Sequence, residues 1–236
     1  MHTSLFPRHI GRVIVTGGAS GLGAAVAEAV ADAGGEPGVI DLDVDGVDDR
    51  FAARAADVSD RPALERAVAE LAEQLGGIDA IVTAAGIDRC GKLEDVAADE
   101  WERVINVNLL GTVAAVRAAL PYIARSHGRV VTVASSLALR ALPDATAYCA
   151  SKFGVLGFSR ALAAETKGRL GVTTLVPAGM RTSFFDDRPE QYRPAPDAQL
   201  NEPSDVARAV IFALQQPPHC EVRELMICPE EEPSWP

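Results

Sequence analysis

The chain has 236 residues, a hydrophobic fraction of 48%, 5% aromatics and a formal net charge of −11. That length and composition describe a folded globular chain with one large α/β domain, not a disordered or fibrous one. The acidic balance argues against unaided binding to nucleic acid or to an anionic membrane, both of which favour basic patches.

Along the chain, short apolar β-branched runs alternate with Ala-rich helical patterns, as in parallel βαβ units. "RVIVTGG" reads as the first strand, and "LGAAVAEAVADAG" as a helix stopped by Gly34 and Gly35. "GVIDLD" is the second strand. Only "VDGVDDRF" separates it from a weak third strand, "AARAADV". A parallel crossover usually takes a dozen or more residues, so its helix is expected to be reduced to a turn. "ALERAVAELAEQLGG" is an amphipathic helix, followed by strand "DAIVTAAG". "DEWERVINVNLLGTVAAVRAALPYIARS" reads as one long helix with Asp99 as candidate N-cap. Strand "GRVVTVASS", the helix around "ATAYCASKFGVLGFSRAL", strand "GVTTLVPAG", helix "SDVARAVIFALQ" and strand "VRELMIC" complete the series.

No linker divides two cores, so residues 1–236 are expected to form a single domain. Residues 183–203 are proline-rich, acidic and without period. They follow the carboxyl end of a strand, where open α/β sheets bind ligands, and are expected to form a flap over the substrate. The cysteines (Cys90, Cys149, Cys220, Cys228) contain no CxxC pair and the histidines are scattered. Neither a disulfide framework nor a metal site is expected. No secretory leader is recognised at the start of the sequence and no apolar run is expected to span a bilayer, so the expectation is a cytoplasmic protein.

"TGGASGLG" lies directly between a strand and a helix. Glycines at Gly17, Gly21 and Gly23 permit a tight turn, close approach of backbone to a diphosphate and close helix–strand packing, and the helix N-terminus offers unpaired N–H groups to an anion. The second strand ends in Asp41, whose carboxylate can accept hydrogen bonds from ribose hydroxyls, each contributing about 1.5–3 kcal/mol. It would repel a 2′-phosphate. Ser20 is uncharged and Leu42 follows Asp41, so no neighbouring cation offsets that repulsion, and NAD is expected over NADP. Asp57 stands where the third strand should end; it either accepts from an adenine amino group or caps a helix.

Tyr148 and Lys152 sit four residues apart, on one helical face with Cβ atoms roughly 5–6 Å apart. Alone, such a pair reads first as a surface pair on an ordinary helix, with an acid–base pair as the alternative. Cys149 reads as helix packing.

Taken in order, "TGGASGLG", the strand-end Asp41, "DV" at Asp57–Val58, "AAG" at Ala84–Gly86, "NVNLLG", "VASS", "YCASK" and "PAGMRT" resemble the short-chain dehydrogenases/reductases over essentially the whole chain. The resemblance implies a Rossmann-type, doubly wound parallel sheet flanked by helices on both faces. It implies Tyr148 as acid/base, Lys152 as its partner, Ser135 (with Ser136 as the alternative) as the hydroxyl orienting the substrate, and Asn108 as a proton-relay residue positioning a water. A buried Asn capping a helix irregularity is compatible with that last role. Cofactor contacts are implied for Gly17, Ser20, Gly21, Leu22, Gly23, Asp41, Leu42, Asp57, Val58, Ala84, Ala85, Gly86, Tyr148, Lys152, Pro177, Gly179, Met180 and Thr182. Backbone contacts from Met180 and Thr182 would go to the nicotinamide carboxamide, and Lys152 would bind the nicotinamide ribose. The Lys152 ammonium and the NAD⁺ ring are both expected to lower the Tyr148 pKa.

Two departures stand out. "TAAG" replaces the family's usual Asn-Asn-Ala-Gly, removing at Ala84 a side chain that braces the central strands; other hydrogen bonds are expected to compensate. Pro177-Ala178 replaces its usual Pro-Gly. The resulting expectation is an NAD-dependent oxidoreductase acting on a small alcohol or ketone. The alternatives are an NAD-binding sensor with little catalysis and an NADPH-dependent 3-oxoacyl reductase. A homodimer or homotetramer is implied, built on the helix bearing Tyr148, with the tail around Trp235 covering a neighbour.

Overall fold

The computed structural model describes residues 8–231, so the expectation for Trp235 lies outside the described residues. Its strands are β1 (Arg12–Thr16), β2 (Glu36–Asp41), β3 (Ala52–Ala55), β4 (Ala80–Thr83), β5 (Arg129–Val133), β6 (Gly171–Pro177) and β7 (Glu224–Ile227). They form one seven-stranded sheet in the order β3-β2-β1-β4-β5-β6-β7, with every neighbouring pair parallel. The direction of winding reverses between β1 and β4, the place where such sheets open a crevice at their carboxyl ends.

Continuous apolar strands follow from burial on both faces, because successive side chains point to opposite sides. Ile14 and Val130 enter one core cluster, while Val13, Val15, Val131 and Val133 enter the other. Helices α2 (Arg61–Leu75), α4 (Thr112–Ile123) and α5 (Thr146–Glu165) cover the first face through Leu64, Leu71, Ala115, Ala119 and Leu162. Helices α1 (Gly21–Asp32) and α6 (Pro203–Leu214) cover the second through Val26, Val30, Val206 and Val210. The doubly wound α/β architecture is thus as the sequence implied.

Between β2 and β3 the crossover is indeed reduced. Residues 42–51 contain only turns and bends, closed by the Val47 N–H to Val44 O and the Phe51 N–H to Asp48 O. The third strand is only four residues long.

The expected single long helix is instead three segments: α3 (Ala98–Ile105), a π-helical stretch Asn106–Gly111 and α4. Ala97, not Asp99, is the N-cap; Asp99 lies in the first turn, where its charge favours the positive end of the helix dipole. The run Ala98–Ile123 covers 26 residues and reaches a mean hydropathy of 1.4, long and apolar enough by those measures to cross a bilayer. That corrects the expectation that no such run exists. Here Val107, Ala115, Val116, Ala119 and Ile123 point into the protein core, so the sheet and its neighbouring helices receive this apolar face.

Candidate active site

A cavity of about 820 Å³ opens over the carboxyl ends of β1, β2, β4, β5 and β6. All the residues implied as cofactor contacts line it, together with Ser135, Tyr148 and Lys152. Asn108 does not.

The glycine loop turns at Gly17 (φ 70). A Cβ there would lie 2.6 Å from the backbone of Ala85, and one at Gly23 would collide with the Gly17 carbonyl. Only glycine allows this loop to fold back between β1 and α1. Ser20 is the N-cap of α1 but makes no side-chain cap, and no acidic residue enters the first turn. The N-terminal N–H groups of α1 therefore border the cavity without a competing carboxylate.

Asp41 ends β2 and braces this loop: one carboxylate oxygen accepts the Ala19 N–H at 2.9 Å, the other the Leu42 N–H at 2.7 Å. Leu42, Ala56, Asp57 and Val58 continue the wall beyond it, and none is basic. Asp57 caps no helix. Its Oδ1 accepts the Ser59 N–H at 2.8 Å and the Ser59 hydroxyl at 2.6 Å, while Asp60 caps α2 through the Ala63 N–H.

At the other end, α5 presents Tyr148 and Lys152 on one face. Lys152 is buried and donates to Val133 O at 2.9 Å, with its Nζ 5.5 Å from the Tyr148 ring centroid. An ammonium has three donors, which leaves two with no hydrogen-bond partner among the described residues. Ser135 and Tyr148 both line the cavity, and Ser135 Oγ accepts the Leu137 N–H at 3.1 Å.

In the free protein, burial dominates the electrostatics of the pair. Burial pushes the Tyr148 phenol up to about 12, against the opposing influence of the Ser135 side chain and the charge of Arg188. Burial also pushes Lys152 down to about 8, against the charge of Asp88. Desolvation disfavours the charged form of both groups.

Asn108 is fully buried in the π-helical stretch. Its Oδ1 accepts the Ile87 N–H at 2.8 Å, and its Nδ2 donates to Ile87 O at 2.9 Å and to Ser151 Oγ at 3.0 Å. The amide braces the loop after β4, as a buried Asn at a helix irregularity, which is compatible with a relay role. π-Bulges are frequent at functional sites.

Residues 183–203 contain two short 3₁₀ turns, Ser183–Phe185 and Glu190–Tyr192, and only the first part of the segment, up to Pro189, lines the cavity. Phe184 stands 5.9 Å from the Tyr148 ring. Arg188 Nη2 donates to Asp88 Oδ2 at 2.6 Å, with side chains only 18% and 4% exposed.

A family profile described as short chain dehydrogenase matches residues 11–193. The chain belongs to the short-chain dehydrogenase family. It is 35% identical over 217 residues to a D-threitol dehydrogenase of Mycolicibacterium smegmatis, covering 84% of each chain. It is 34% identical over 237 residues to a glycine betaine reductase of Emericella nidulans; that match covers 93% of this chain and spans 19% of the longer relative. An alcohol dehydrogenase of Thermococcus sibiricus, solved with 5-hydroxy-NADP, superposes with a TM-score of 0.85 at 24% identity, over 92% of this chain and 95% of that one.

In this short-chain dehydrogenase the Ala84 N–H donates to Thr16 O at 3.0 Å, and the Asn108 amide grips both polar groups of Ile87. These bonds hold the loop that follows β4. The neighbouring Thr83 hydroxyl remains buried with no partner among the described residues. The Thr182 N–H donates to Met180 O at 3.0 Å, and both residues line the cavity. Sequence reasoning missed Ser151, Asp88 and Arg188. Ser151 had a usable signal, lying one turn after Tyr148 inside "YCASK"; the other two meet only across 100 residues of sequence.

Proposed function

We propose that this oxidoreductase is an NAD-dependent dehydrogenase interconverting a small secondary alcohol and its ketone. The observation that carries the reading is that Ser135, Tyr148 and the buried Lys152 stand together on the wall of a cavity that also holds the glycine cradle. The cradle fits a dinucleotide: Cβ atoms would fill it at Gly17 and Gly23, helix N–H groups border it, and Asp41 stands at its edge. When bound, the nicotinamide supplies the hydride acceptor for oxidation and the hydride donor for reduction.

The side chains supply the rest. In reduction, Tyr148, kept protonated by burial, donates its proton to the developing alkoxide. In oxidation it takes the alcohol proton, and the positive charge Lys152 carries below about pH 8 favours the phenolate required. Ser135 holds the same oxygen and stabilises its developing charge. The two unused Lys152 donors suit the ribose hydroxyls. Asn108 acts as a positioning residue through Ser151. Asp41, with no basic neighbour on that wall, favours NAD over NADP.

We also infer a cytoplasmic homodimer or homotetramer. The cysteines are free thiols, as in reducing compartments. Leu110 and Phe153 stand 53% and 45% exposed on packed helical segments, an apolar surface suited to a second copy. The test of the central reading is incubation with NAD⁺ and a panel of small secondary alcohols, following NADH absorbance. No turnover across the panel from protein that binds NADH would replace it with a dinucleotide-binding role.

A further inference from the structure

Two opposite charges stand on the cavity wall near the acid/base without belonging to its helix. Asp88 comes from the loop after β4 and Arg188 from the segment after β6, and both line the cavity with Tyr148 and Lys152. Their side chains form an ion pair that is largely buried. Phe184 links this pair to the reacting group. The central carbon of the Arg188 guanidinium lies 5.4 Å from the Phe184 ring centroid, and that ring lies 5.9 Å from the Tyr148 ring. One aromatic ring therefore separates the guanidinium from the phenol ring. The pair is held from both sides. Asp88 accepts the Arg89 N–H at 2.7 Å and the Cys90 thiol at 3.2 Å. Arg193 Nε donates to the Arg188 carbonyl at 2.8 Å, and the neighbouring Tyr192 hydroxyl donates to Asp144 at 3.2 Å.

Replacing a buried ion pair by apolar side chains of similar volume is often neutral or stabilising, so stability alone does not explain this one. Its two ends act on Tyr148 with opposite sign. The Asp88 carboxylate disfavours the phenolate and the Arg188 guanidinium favours it. Asp88 also favours the charged form of Lys152. On the helix itself, Lys152 and Cys149 are the ionisable neighbours of Tyr148. The Cys90 thiol beside Asp88 is pushed up to about 12 by burial, which keeps it uncharged at neutral pH. Asp187, Arg89, Glu100 and Arg103 also line the cavity but are exposed, and salt screens exposed charges far more than buried ones. Asp41 and Asp57 stand at the dinucleotide end. Among the described residues, Asp88 and Arg188 are thus the buried charges from outside α5 that bear on the acid/base.

We propose that Asp88 and Arg188 are positioning residues for the proton chemistry, a charge pair that sets the pH at which Tyr148 takes up and releases its proton. With both charges in place their effects on Tyr148 oppose each other, and loss of either leaves the other acting alone. Neutralising Asp88 makes the first proton of the coupled Tyr148–Lys152 pair easier to lose, whichever group releases it, because nearby negative charge holds that proton. Neutralising Arg188 makes the same proton harder to lose. A unit charge one aromatic ring away, in a partly desolvated cavity, moves such a titration by about half a unit to one unit. This inference rests on the dehydrogenase reading.

The test is the pH dependence of kcat/KM at saturating NAD⁺, between about pH 6 and 10, in the wild type, Asp88→Asn, Arg188→Gln and the double variant. The substrate is whichever of propan-2-ol, butan-2-ol and cyclohexanol the wild type oxidises fastest. Oxidation needs Tyr148 as base, so activity rises with pH through the midpoint of the Tyr148–Lys152 pair. Asp88→Asn should move that midpoint down by about half a unit to one unit, and Arg188→Gln should move it up by a similar amount. The double variant should fall between the two, and Arg188→Lys, which keeps the charge, should hold the wild-type midpoint. A midpoint does not depend on how much of the protein is folded. Each single variant tests its own sign, so one that does not fold leaves the other decisive. Midpoints that stay fixed while rates fall would reduce the pair to a structural brace, and shifts of the same sign in both variants would equally overturn the proposal. Both outcomes would leave the dehydrogenase reading intact. No turnover of any of the three alcohols by wild-type protein that binds NADH would overturn both.

Discussion

Asn108 Nδ2 donates to Ser151 Oγ at 3.0 Å, and Ser151 donates onward to the carbonyl of Tyr148 at 2.8 Å. Through the bonds between Asn108 and Ile87, the loop after β4, the π-helical stretch and the first turns of α5 become one network. The turn bearing the acid/base is thereby tied to the loop on the cofactor side.

Ser151→Ala should break this network. It leaves a buried Asn108 donor short of a partner, at a cost of about 1–3 kcal/mol. Urea unfolding should show that loss. A fall in kcat with little change in the KM for NAD⁺ would mark displacement of Tyr148; equal stability and kinetics would show that the link does not position it.

Tyr148→Phe should abolish turnover while leaving NADH binding nearly intact, because the ring packing persists and only the proton-carrying hydroxyl is lost. Fluorescence titration with NADH alongside steady-state assays checks both halves. Near-wild-type rates would remove Tyr148 from the chemistry.

Asp41→Asn should weaken the preference for NAD over NADP by roughly tenfold, equivalent to about 1.4 kcal/mol. Asparagine retains an acceptor for the Ala19 N–H and removes the charge facing a 2′-phosphate. Comparing KM for the two cofactors in both proteins measures it, and equal cofactor use by the wild type would refute the underlying assignment.

Lys152 should make stability rise with pH. Its folded-state pKa is about 8 against an ordinary value of 10.5. Below pH 8 both states hold the proton and the folded protein bears the full cost of burying the charge. Between pH 8 and 10.5 the unfolded chain binds more protons, so the free energy of unfolding increases with pH. Relative to Lys152→Met, the wild type should gain roughly 2–3 kcal/mol between pH 7 and 10. Above pH 10 the raised Tyr148 value works in the opposite direction, because the unfolded phenol loses its proton first. Urea melts across this range would show a parallel pH dependence in the two proteins if the ammonium is not desolvated.

Much of the site is written locally. Gly17, Gly21 and Gly23 read as a strand-to-helix cradle because the requirement is on their own backbone and on atoms a few residues away. Tyr148 and Lys152 share a face because helical periodicity puts them there. The electrostatic sign was not legible: it depends on how deeply both groups are desolvated, which no spacing encodes. Nor was Asp99 legible as a first-turn residue instead of a cap, since Ala97 starts the helix without a capping side chain.

The sequence by itself determined the alternation of strands and helices and the seven-strand parallel plan, since these follow from apolar period and turn chemistry, while the residues expected along the cavity came from the family resemblance of its ordered motifs. Tertiary structure alone decided that Asn108 braces a loop instead of facing the cavity, that a helix expected to be continuous opens into a π-helical stretch around it, and that Asp88 meets Arg188. The physical reason is common to all three. Each depends on a buried polar group finding its partner, and those partners lie 21, 43 and 100 residues away, beyond the reach of any local pattern.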